Sequence, residues 1–76
     1  MPTIDLRLFA TLKAHAPDNA SHFPITAGMS IADLIRKLPL SAAEAKLIFV
    51  DGVRAGMETQ LHGGERVGVF PPVGGG

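Results

Sequence analysis

The chain has no cysteine, no tryptophan and no tyrosine, and only four phenylalanines in 76 residues. The missing cysteines exclude disulfides, zinc–cysteine sites and thiol catalysis. Scarce aromatics argue against a stacking platform for single-stranded nucleic acid. Neither sign of charge is in excess: Lys plus Arg and Asp plus Glu each number 7, giving formal net charge zero. The broad positive field that nucleic-acid binding draws on is therefore absent. No apolar run approaches the length of a membrane span and no export signal opens the chain, so a cytoplasmic protein is expected. What is present, 46% hydrophobic and 18% charged residues, is the balance of one small globular domain.

Thr3 to Phe9 alternates, with Ile4, Leu6 and Leu8 on one side and Asp5 and Arg7 on the other, the period of a half-buried strand. Ala10 to Ala16 is rich in helix formers and stops at Pro17, which predicts a short helix or helical turn. Ser21 to Ile25 reads as a weaker strand, with Pro24 placing it at an edge. The clearest helix runs from Ile31 to Leu38. Its apolar stripe is Ile31, Leu34, Ile35 and Leu38, Ser30 is the N-cap, Asp33 completes a capping-box-like pairing, and Pro39 is the stop. Ser41 to Lys46 predicts a further helical turn, and Leu47 to Val50 a strand covered on both faces. Asp51-Gly52 is a tight-turn dipeptide. A short return strand and loop follow within Val53 to Leu61, then a turn at His62-Gly63-Gly64-Glu65 and a last strand from Arg66 to Phe70. One amphipathic helix on one face of a small mixed sheet is an α+β arrangement, and this order looks like the β-grasp layout of ubiquitin-like proteins. The expected division is a domain over residues 1–70 and an extended tail over 71–76.

Rival sites fall away in turn. His15, His22 and His62 are scattered and lack ligand spacing, so no metal site is expected. Gly63-Gly64 lacks the lysine and following helix of a phosphate loop. The carboxylates are each explained by a solvent face, a cap or a turn, and none forms an evident acid–base pair. A chain without nucleophile, base or cofactor pocket is not expected to be an enzyme by itself. Phe9 and Phe70 both fall off the core face of their strands. Two readings stay open for them: an apolar docking patch beside the tail, or simple cover by a loop.

The remaining feature is the ending, Pro71-Pro72-Val73-Gly74-Gly75-Gly76. An extended chain of this length reaches about 20 Å at roughly 3.3 Å per residue, enough to thread into a partner's active site. The prolines stiffen its base, and glycines without Cβ keep its tip thin. Glycine also leaves the Gly76 carboxylate unhindered, which makes it the expected reactive group. A frayed terminus with no role is the alternative.

Leu8-Phe9-Ala10 before a short helix, the turn Leu61-His62-Gly63-Gly64-Glu65-Arg66-Val67 and the ending Phe70-Pro71-Pro72-Val73-Gly74-Gly75-Gly76 together resemble the MoaD/ThiS sulfur carriers. The resemblance spans essentially the whole chain, and the Phe-Pro-Pro-Val-x-Gly-Gly ending is more similar to the molybdopterin synthase small subunit than to the thiazole-pathway carrier. It implies a carrier that is a substrate and not a catalyst, with no cofactor of its own. A ubiquitin-activating-type adenylating enzyme would use ATP to convert the Gly76 carboxylate to an acyl-adenylate. A sulfurtransferase or cysteine desulfurase would supply sulfur, leaving a thiocarboxylate on Gly76. The tail, with Gly74, Gly75, Pro71, Pro72 and Val73, would insert into the molybdopterin synthase large subunit and deliver sulfur to the pterin precursor. Phe9 and Phe70 match apolar positions used at the partner interface. Delivery to thiazole or cysteine biosynthesis, or attachment to other proteins as a ubiquitin-like modifier, would use the same activated carboxylate.

Overall fold

The computed structural model describes residues 2–40 and 43–71. Five strands form one mixed sheet: β1 (Thr3–Leu8), β2 (Phe23–Pro24), β3 (Leu47–Val50), β4 (Val53–Ala55) and β5 (Arg66–Phe70). Their spatial order is β2-β1-β5-β3-β4. β1 and β5 pair in parallel at the centre, and the other neighbours are antiparallel. The single α-helix among the described residues, α1 (Ile31–Arg36), lies between β2 and β3 in the chain. This is the β-grasp arrangement that the element order predicts.

The alternation in β1 sets its two faces. Ile4, Leu6 and Leu8 are buried with Val67 and Val69 of β5 and Ile48 of β3. Ile31, Leu34 and Ile35 of α1 close the same core, together with Leu12, Leu38 and Leu61. Leu12 enters it from a 3-10 helix over Ala10–His15, where an α-helix or a helical turn was equally compatible with the sequence. A six-residue helix has little stability alone, so its packed stripe holds it in place.

Four sequence expectations shift. α1 ends at Arg36, and the amide of Leu38 bonds to the Ile35 carbonyl, tightening the last turn while Leu38 still packs inward. β2 pairs over two residues only, with Pro24 on the sheet edge, and a 3-10 turn occupies Ala20–His22. Residues 43 and 44 form a turn and 45 and 46 carry no helix; Ser41 and Ala42 lie outside the described residues. Burial of Ala45 and a bond from the Lys46 amide to the Phe70 carbonyl draw that segment into β3. Finally, β3 is not fully covered on both faces: Ile48 is buried, whereas Leu47, Phe49 and Val50 are half-buried.

Asp51 and Gly52 join β3 to β4 with φ of 51° and 83°, the doubly left-handed backbone of a twist-matched two-residue hairpin. The expected tail begins after β5. Pro71 is half-buried and outside the strand, while Pro72, Val73, Gly74, Gly75 and Gly76 lie outside the described residues.

Candidate functional site

The sheet face turned away from α1 carries an apolar groove of about 280 Å³. Its floor is β5, where Gly68 sits between Arg66 and Phe70 on the outward-facing set of positions. Phe9 and Phe70 stack with ring centroids 4.3 Å apart and planes 4° from parallel. Phe49 meets Phe70 edge-on at 5.6 Å, so the three rings form one cluster.

Backbone pairing places each ring. The Phe9 amide bonds to the Val69 carbonyl at 3.1 Å, extending the β1–β5 ladder by one residue. Leu47 stands opposite Phe70, and Phe49 opposite Gly68. Gly68 is what lets the rings approach the strand: a Cβ there would stand 3.2 Å from Phe9 Cε2 and 3.6 Å from Phe70 Cε1. Phe9 and Phe70 thus occupy one outward-facing cluster, together with Phe49.

Charge on the groove wall is of one sign. Arg7 and Arg66 line it, and no carboxylate does among the described residues. Both side chains are over half exposed, 53% and 67%. Asp5 lies between them, accepting from Arg7 Nη2 at 3.0 Å and standing 3.6 Å from Arg66 Nε. The hydrogen bond from Arg7, reinforced by both positive charges, holds the Asp5 carboxyl below its ordinary range. Asp51 faces β5 differently, its Oδ1 accepting from the Arg66 backbone amide at 2.9 Å.

The turn before β5 is fixed by Glu65. Its two carboxylate oxygens accept from the amides of His62 at 2.8 Å and Gly63 at 2.7 Å. Partial burial pushes this carboxyl up, but the amide bonds outweigh it and the net shift is downward. His15, His22 and His62 are exposed, and among the described residues no group of three or more His, Asp or Glu is placed to hold a metal.

Sequence reasoning missed Phe49, Arg7 and Arg66 as members of this face. Two signals pointed to them: the mid-strand glycine at position 68, and the outward parity that Arg7 and Arg66 share with Phe9 and Phe70.

The ThiS family model matches residues 6–76, nearly the whole chain. The chain belongs to the ThiS family. Members of this ThiS/MoaD-like group are ubiquitin-like sulfur carriers or modifiers that act with partner enzymes, and such small carriers are generally not catalysts. Solved structures share the fold. A putative molybdopterin converting factor, subunit 1, from Pyrococcus furiosus superposes with a TM-score of 0.74 at 22% identity, over 96% of this chain and 100% of that one. SAMP1 from Haloferax volcanii gives 0.66 at 22% identity, over 97% and 99%. A second structure, of the H. volcanii small archaeal modifier protein 1, gives 0.68 at 16% identity, over 96% and 100%. A search of curated protein sequences finds no match.

Proposed function

We propose that this chain is a sulfur carrier whose Gly76 carboxylate is adenylated and then thiocarboxylated, and that it donates sulfur to the pterin precursor of molybdopterin as the small subunit of a molybdopterin synthase. The observation that carries this reading is the family match, which runs through the glycine ending to residue 76. The molybdopterin branch is favoured by the Phe-Pro-Pro-Val stem and by the molybdopterin converting factor among the similar folds.

The chemistry needs little from this chain. A carboxylate is a poor electrophile because oxide is a poor leaving group. Transfer of an adenylyl group from ATP by a ubiquitin-activating-type enzyme releases pyrophosphate and makes AMP the leaving group. A persulfide on a sulfurtransferase or cysteine desulfurase displaces AMP at the unhindered glycyl carbon. A thiol then cleaves the resulting acyl disulfide, freeing the thiocarboxylate and leaving a disulfide behind. Acid–base and phosphate contacts belong to those partners and to the synthase large subunit. This domain supplies the handle: Phe9, Phe49 and Phe70 offer a docking face at the end of β5, next to where Pro71 starts the tail.

Incubation with ATP, the cognate adenylating enzyme and a sulfur donor should raise the intact mass by the difference between sulfur and oxygen, localised to Gly76. An unchanged mass with the cognate adenylating enzyme, ATP and a competent sulfur donor all present would sink the proposal. The structures of the archaeal modifier favour a second reading, conjugation to lysine, for which Gly-Gly remnants on cellular lysines are the readout.

A further inference from the structure

We infer that the outward groove selects a partner segment carrying an apolar side chain flanked by carboxylates, with Arg7 and Arg66 reading the acid and Phe9, Phe49 and Phe70 holding the apolar anchor. The inference rests on the carrier reading only in taking the occupant to be a protein.

Size favours a side chain. At about 280 Å³ the groove lies below the range of pockets that enclose whole drug-sized ligands. Its rings are already packed on one another, so it is preformed and an entering group costs little reorganisation. Charge specifies what flanks the anchor. Two guanidinium groups share one carboxylate, Asp5, and both remain over half exposed. Arg54, opposite Phe49 on β4, adds a third cation to the same face of the sheet. The fork of an arginine binds carboxylate in a paired geometry, and such bonds strengthen when an apolar anchor excludes water beside them. Asp5 is the internal counterpart of that acid, because it already holds Arg7 in a carboxylate-bound pose.

A second copy of the chain fits poorly, since a self-complementary interface would bring two arginine-lined walls together. Nucleic acid fits poorly too. The chain has no net charge, and the rings stack against each other instead of standing free.

The test is a nuclear magnetic resonance titration of the full chain with two probes, acetyl-Glu-Leu-Phe-Glu-amide and acetyl-Lys-Leu-Phe-Lys-amide. The acidic peptide should shift the amides of Phe49, Gly68 and Phe70 and bind at least about tenfold tighter than the basic one, with the gap narrowing as salt rises. The double variant Arg7→Gln/Arg66→Gln should retain the folded spectrum and lose the discrimination. Gly68→Val, which fills the groove, should weaken both peptides. Equal affinity for the two peptides, or shifts confined to another surface, overturns the inference. So do shifts of the same amides on raising protein concentration alone, which assign the face to a second copy. Stronger shifts with oligouridylate, or altered shifts at the Phe49 and Gly68 amides on truncation after Pro71 without peptide, overturn it in favour of nucleic acid or the chain's own tail. The titration does not involve sulfur transfer, so it and the mass measurement above fail independently.

Discussion

Glu65 shows how one side chain fixes a whole turn. Its carboxylate bridges two consecutive amides, those of His62 and Gly63, and thereby sets where β5 begins. Because its folded carboxyl is held below the ordinary value of 4.5, its contribution is full above that pH and is lost as pH falls through the lower folded value. Glu65→Gln should cost about 1 kcal/mol at neutral pH, reduced by solvent screening, and the gap to the parent should close as pH falls below the ordinary carboxylate range in denaturant titrations. Position 65 was readable in the sequence as a turn residue, but the two bonds were not, since they depend on how the glycines before it fold. Phe49 was harder. Four apolar residues in a row carry no alternation, so only the register opposite Gly68 reveals that this ring faces outward.

At the scale of the element, α1 shows where local signals were sufficient and where they were not. Ser30 caps it as expected, its Oγ accepting from the Asp33 amide at 3.1 Å. The reciprocal half of a capping box is replaced: Asp33 instead pairs with Arg36 at 3.0 Å, one turn along. The other two first-turn donors, the amides of Ile31 and Ala32, bond to the carbonyls of Thr59 and Met57. No helix-start rule could supply those partners, because they come from a loop more than twenty residues later. Ser30→Ala therefore leaves one amide unpaired. It should cost about 1 kcal/mol, read as a fall in melting temperature of roughly 4–8 °C for a domain of this size. Of the helical turn expected over Ser41 to Lys46, residues 43 and 44 make a plain turn and 45 and 46 no helix, for a related reason: Ala-rich propensity was overridden by burial of Ala45 and by pairing to the sheet.

For the whole molecule, the order of elements was enough to reach the β-grasp arrangement. One strong helix, one strong hairpin dipeptide and two alternating strands leave few ways to close a single core. The central parallel pair, β1 with β5, was not readable, because parallel pairing is set by long-range packing. Every residue of the described core precedes Pro71. Truncation after Pro71 should thus leave the melting temperature within about 2 °C of the parent while abolishing any mass gain at the carboxyl end. A larger fall would mean that the tail belongs to the domain.

The same central pairing governs how the domain answers force. β1 enters from the amino-terminal side, β5 runs toward the tail, and the two lie side by side from Asp5 opposite Arg66 to Leu8 opposite Val69. Tension between the two ends loads that ladder lengthwise, so its hydrogen bonds must break together instead of unzipping in sequence. β5 is also held by β3 along its other side. A partner that drew the glycine ending into its own channel would therefore pull on a strand paired along both sides, and the traction would reach the groove at Phe70 before it reached the core.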